Sequence, residues 1–152
     1  MSKKKSDLVK VFFSLRQDEE GYPPVGSESL WAKLVKDGYQ IDNIPFYITG
    51  VSCDDIVAVK KRDDGVLEFL RVVKRLGHST IRICVRDVDA INDLRQDLRN
   101  LGCESEQDYV PNLIAVDIPP KVQIRAIWNI LEQEIELDKW EYEDACIQHE
   151  HE

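Results

Sequence analysis

None of the four cysteines, Cys53, Cys84, Cys103 and Cys146, forms a CxxC pair, and no histidine stands at ligand spacing from them. This argues against a zinc site or a dithiol redox motif, so neither metal nor cofactor is expected. No apolar run approaches the roughly 20 residues that a membrane-spanning helix needs. The basic start, MSKKKSDLVK, carries no apolar core or small-residue cleavage site, so no secretory signal is read there. Gly/Ser-rich spacers, low-complexity tracts and internal repeats are also missing. GYPPVG lacks the strand-to-helix setting of a phosphate loop, and neither Asp54-Asp55 nor Asp63-Asp64 fits the spacing of a calcium loop. A soluble cytoplasmic protein is expected, and one that is not an enzyme, since no convergent nucleophile, base and oxyanion donor can be assembled.

The 152 residues can bury a real core, and 43% hydrophobic with 32% charged residues is the balance of a globular chain. The charge is unevenly divided. Residues 1–80 carry 13 Lys and Arg against 12 Asp and Glu, whereas residues 81–152 carry 7 against 17. From Glu132 onward stand nine carboxylates and one cation, Lys139. Such an end repels phosphate backbones and attracts basic partners, so nucleic acid is not an expected ligand.

Hydrophobic spacing outlines the fold. Val9, Val11, Phe13 and Leu15 alternate as a strand does, and the GYPPVG loop follows. SLWAKLV and YQIDNI flank Asp37-Gly38 as a hairpin, and DIVAVKK and VLEFLRVVKR flank Asp63-Asp64-Gly65 as another. Phe46, Tyr47, Ile48 and Val51 are read as a plug at one end of this sheet. A period switch near Asp87 then marks a strand over 79–86 followed by a helix over 88–101, with Asp87 as cap and Gly102 as terminator. A weaker strand over 103–110, a strand over 112–118, a helix over 120–137 opening on Pro120, and a last strand in WEYEDACI complete the chain. Cys84 reads as a small buried hydrophobe. The fold class expected is α+β: a small curled antiparallel sheet or open barrel over 8–77, packed on a ferredoxin-like βαββαβ half over 78–147. Residues 1–7 and 148–152 are read as a disordered lead-in and tail.

Two sets of residues are candidates for function. Glu132, Glu136, Asp138, Glu141, Glu143 and Asp144, with Trp140 and Tyr142 among them, combine a negative field with aromatic anchors, as a surface for a basic protein would. Tyr22 and Trp31, with His78 and Ser79, would line a ligand groove; core filling by Tyr22, Trp31, Phe46 and Tyr47 is the competing account. His78 beside Ser79 is better read as a turn than as a catalytic pair, because such pairs usually meet from distant segments. His149 and His151 alternate as a strand-borne metal pair could, but they stand at the chain end.

GYPPVGSESLWA, YQIDNIPFY and GHSTIRI resemble motifs of a bacterial domain-of-unknown-function family of small cytoplasmic proteins, over about Val9 to Cys146. That resemblance implies kinship and no activity. In size, charge and fold the chain also resembles the immunity proteins of bacterial toxin systems, including contact-dependent inhibition. This implies a partner, a basic and most simply nuclease toxin domain, whose active site the acidic end would cover. The alternative is a regulatory module that senses a small molecule.

Overall fold

The computed structural model describes residues 7–108, 112–133 and 138–150. The chain divides into two compact units between Leu76 and Gly77.

The N-terminal unit is a closed five-stranded barrel of β1 (Leu8–Ser14), β2 (Ser27–Val35), β3 (Gly38–Ile41), β4 (Ile56–Lys61) and β5 (Leu67–Lys74). Consecutive strands pair antiparallel, and β1 closes the barrel by pairing parallel with β5 at Val11–Leu67 and Phe12–Glu68. The inward set of the alternating strands makes its core: Val11, Phe13, Leu30, Ala32, Ile41 and Val57, joined by Val51 from the β3–β4 connection. Phe13 and Phe69 stack there with centroids 4.7 Å apart. Val51 is buried and Ile48 packs against this core, while Phe46 and Tyr47 stay half-buried. The first hairpin turns one residue earlier than its sequence indicated. Val35 pairs with Gly38, so Lys36 and Asp37 form the turn and Gly38 opens β3. Gly38 is needed there, because a Cβ would stand 2.4 Å from the carbonyl oxygen of Val57.

The C-terminal unit is a four-stranded sheet in the order β7-β8-β6-β9, all neighbours antiparallel: β6 (Ser79–Val85), β7 (Glu104–Gln107), β8 (Leu113–Ile118) and β9 (Trp140–Cys146). Two α-helices, α1 (Ile91–Asn100) and α2 (Ile124–Gln133), share one core with the sheet. Ile91, Leu94 and Leu98 of α1 and Ile124, Ile127, Trp128 and Leu131 of α2 meet Ile81, Ile83, Val85, Ile114, Val116 and Ile118. The Asp87 carboxylate accepts from Asp89 N as a cap, though the turn it caps is a 3-10 turn at Val88–Ala90 that precedes α1. Gly102 (φ +98°) ends α1: its N–H reaches the Arg99 carbonyl and that of Cys103 the Leu98 carbonyl, two bonds that only a left-handed residue permits.

Several expectations are corrected here. Among the described residues nine strands in two sheets stand against two ten-residue α-helices. The α+β class with a ferredoxin-like half therefore gives way to a molecule made mostly of antiparallel sheet. Its barrel is closed, since the pairing of β1 with β5 leaves no open edge. Pro120 does not open a helix. Val122 N–H donates to the Pro119 carbonyl in a turn, and α2 starts at Ile124. Residues 134–137 and 109–111, where a longer helix and strand were read, lie outside the described residues. Cys84 is exposed; the buried thiols are Cys103 and Cys146. Position within its strand decides this, because Ile81, Ile83 and Val85 take the face that α1 and α2 cover, leaving Cys84 to the other.

Candidate functional site

β9 carries much of the expected acidic surface, and a strand sends successive side chains to opposite faces. Glu141 and Glu143 are thereby separated from Tyr142 and Asp144. On one face, the Glu143 carboxylate accepts from Nε of Arg82 at 2.8 Å, a guanidinium only 1% exposed. Arg86 reaches both Asp138 and Glu141. On the other, Asp144 accepts from Nε1 of Trp128 at 2.9 Å, and the Tyr142 hydroxyl donates to Glu132 at 3.3 Å. Burial first, then the Glu132 and Asp144 charges, push the Tyr142 phenol above its ordinary range, with Arg125 opposing. Trp140 is a core residue, 4% exposed, whose indole donates to the Leu131 carbonyl at 2.9 Å. Glu136 lies outside the described residues. Much of the acid at this end is thus answered by the chain's own donors.

Other carboxylates meet no cation in an ion pair among the described residues. A groove of about 420 Å³ runs between α1 and α2, with Asp87, Asp89, Asp93 and Asp97 on its wall and Leu94, Ile130 and Trp140 in its floor. Asp93 and Asp97, four residues apart on α1, stand in one row along the helix about 6 Å apart, and Asp89, in the 3-10 turn before it, lines the same groove. All three are exposed, and among the described residues no ion pair reaches them. Lys139, the cation of the acidic end, lines the same groove. Reading the acid by its density after Glu132 missed this row; the i, i+4, i+8 spacing on a helix already assigned was the signal.

The four residues of the expected ligand groove fall two in each unit. Tyr22 is 47% exposed beside a cis peptide to Pro23. Trp31 is half-buried, with Lys10 Nζ 4.8 Å from its ring centre and its backbone N–H donating to Asn43 Oδ1 at 2.6 Å. In the other unit, Nδ1 of His78 is 2.8 Å from Asp117. Ser79, fully buried, ties down the C-terminal segment where the sequence indicated a loose tail. Its Oγ accepts from Gln148 N at 2.8 Å and His149 N at 3.2 Å and lies 2.6 Å from His149 Nδ1. A carbonyl only accepts, so the 2.9 Å contact to Pro119 places a hydrogen on His149 Nε2, leaving Nδ1 to receive the serine proton. His151 lies outside the described residues, and no group of metal-binding side chains forms among those described. Among the described residues no helix is long and apolar enough to cross a membrane.

A solved structure described as a novel crystal structure of a hypothetical protein from Neisseria gonorrhoeae is similar, at 26% identity and a TM-score of 0.80 over 94% of this chain and 97% of that one. Among curated proteins nothing matches. A family model, domain of unknown function DUF4265, matches residues 28–142, a span that contains both the aspartate row and most of the barrel. The chain belongs to the DUF4265 family.

Proposed function

We propose that this protein is a non-enzymatic binding protein that holds a basic segment of a protein partner in the groove between α1 and α2, as an immunity protein covering a basic nuclease toxin would. The observation that carries the reading is the set of Asp89, Asp93 and Asp97, exposed and in no ion pair among the described residues, above a floor of Leu94, Ile130 and Trp140. Lysine or arginine side chains at matching spacing would meet the carboxylates while their aliphatic stems cover the floor. The field of the C-terminal residues, 7 Lys and Arg against 17 Asp and Glu, would speed the encounter. A binding role also suits Ser79, whose buried hydroxyl is held by three hydrogen-bond contacts and is out of reach of a substrate. The carboxylates near Glu141 then serve mainly the fold.

The test is a titration of the protein against a panel of basic bacterial nuclease domains, with binding and nuclease activity followed together. One domain should bind below about 1 μM and lose its activity in the complex. Replacing Asp89 and Asp93 by lysine should weaken that complex at least about tenfold. A panel with no bound member, or a complex indifferent to the two lysines, refutes the reading.

A further inference from the structure

A second cavity, of about 480 Å³, lies against the first turn of α2, bounded by Pro120, Lys121, Val122, Arg125, Trp128 and His149. Its size suits a ligand of nucleotide dimensions. The charge around it departs from that of the acidic unit. Arg82 and Arg86 face carboxylates, but among the described residues Lys121 meets none, and Arg125 lies 5.0 Å from the centre of the Trp128 ring. Among the described residues lining it, Glu150 is the carboxylate.

The cavity is also built with care for its walls. The His149 ring is fixed at both nitrogens, by Ser79 and by the Pro119 carbonyl, and Gly77 N–H donates to the Gln148 side chain at 2.8 Å. Gly77 sits at φ +90°, where a Cβ would press on Pro120 at 3.2 Å. The Trp128 indole is oriented by its bond to Asp144. Rigid walls reduce the ordering cost of binding.

We infer that this cavity binds a small organic anion with a planar apolar body. The anionic group meets Lys121 and Arg125, and the planar body rests on Pro120, Val122 and the exposed edge of Trp128, 7% of which is accessible. An arginine already held over an indole is arranged for stacking with little further loss of freedom. Ser79 and His149 are positioning residues, which act by holding the wall.

Calorimetric titration of the full chain with AMP, adenosine and inorganic phosphate separates the contributions of ring and charge. AMP should bind with a Kd below about 1 mM, and adenosine and phosphate each at least about tenfold more weakly. Lys121→Ala and Arg125→Ala remove exposed side chains and should each weaken AMP about fivefold or more, with the melting temperature unchanged for Lys121→Ala and slightly lowered for Arg125→Ala, which loses its contact with the Trp128 ring. Ser79→Ala should weaken AMP while leaving the salt dependence of binding as it was, because no charge is lost. As a control, Lys60→Ala with Lys61→Ala, in the barrel, should change nothing. Salicylate serves as a second planar anion. If neither AMP nor salicylate binds at about 5 mM, or if the Lys121→Ala/Arg125→Ala double variant binds AMP as tightly as the parent, the inference fails.

Discussion

The Glu28 carboxylate accepts from three consecutive backbone N–H groups, those of Phe46 at 2.7 Å, Tyr47 at 3.1 Å and Ile48 at 3.0 Å. It thereby satisfies a connection that has no sheet partner of its own. Glu28→Ala would leave three half-buried donors without that acceptor, at a cost of about 2–3 kcal/mol; Glu28→Gln retains one oxygen and should cost about half as much. Urea midpoints of the two variants, compared with the parent, check the order. Cys103 gives a prediction in pH. Burial foremost, then the charges of Asp117 and Glu104, push its thiol from 9.0 up to about 12. Between these values the unfolded chain has lost the proton that the folded chain keeps, so stability falls as pH rises above 9, by at most about 1.4 kcal/mol per unit. Cys103→Ala, less stable throughout, should show a shallower fall between about pH 9 and about pH 11. Equal slopes would mean that the thiol ionises alike in both states. Neither role was legible beforehand, because Glu28 and the N–H donors it accepts from lie 18 to 20 residues apart and Cys103 owes its shift first to burial in a core that distant segments assemble.

Signals carried within a few neighbouring residues are legible in the sequence, and those that depend on distant segments are not. The period switch, the Asp87 cap and the Gly102 terminator are encoded within a few residues of one another, and the α1 segment follows them closely. Closure of the barrel depends on β1 meeting β5 more than fifty residues later, which no spacing within either strand can announce. The acidic cluster looked like one surface because charge was counted along the chain, whereas β9 divides it between two faces. On α1 the opposite holds, since Asp93 and Asp97 repel one another at i, i+4 and Asp97 approaches the negative end of the helix dipole. Asp97→Asn should relieve this and raise stability by about 0.5 kcal/mol, whereas Asp89 and Asp93 stand in the first turns, where their charge is favourable; each neutralisation should slow association with a basic partner. Thermal melts together with association rates test both halves. A stability loss would show that the row serves the fold.

The separation of charge between the two units has a consequence for stability that does not depend on any partner. The barrel's part of the chain is nearly balanced, whereas residues 77–152 hold all the surplus acid, a net −10. Like charges brought together by folding oppose the compact state, and salt shortens their reach from about 10 Å at 0.1 M to about 3 Å at 1 M. The bridges of Arg82 and Arg86 weaken with salt too, but carboxylates outnumber cations here by more than two to one, so relief of repulsion should dominate. Native-state hydrogen exchange can measure each unit within the intact chain. Between about 0.05 M and about 0.5 M NaCl, opening free energies of amides in β6 and β8 should rise on the order of 1 kcal/mol, with those in β1 and β2 nearly constant. An equal rise in both would point to a general salt effect on apolar burial and not to charge. A basic protein seated on α1 would relieve the same repulsion without salt. Its binding should therefore protect β6 and β8 strongly at about 0.05 M NaCl and less at about 0.5 M.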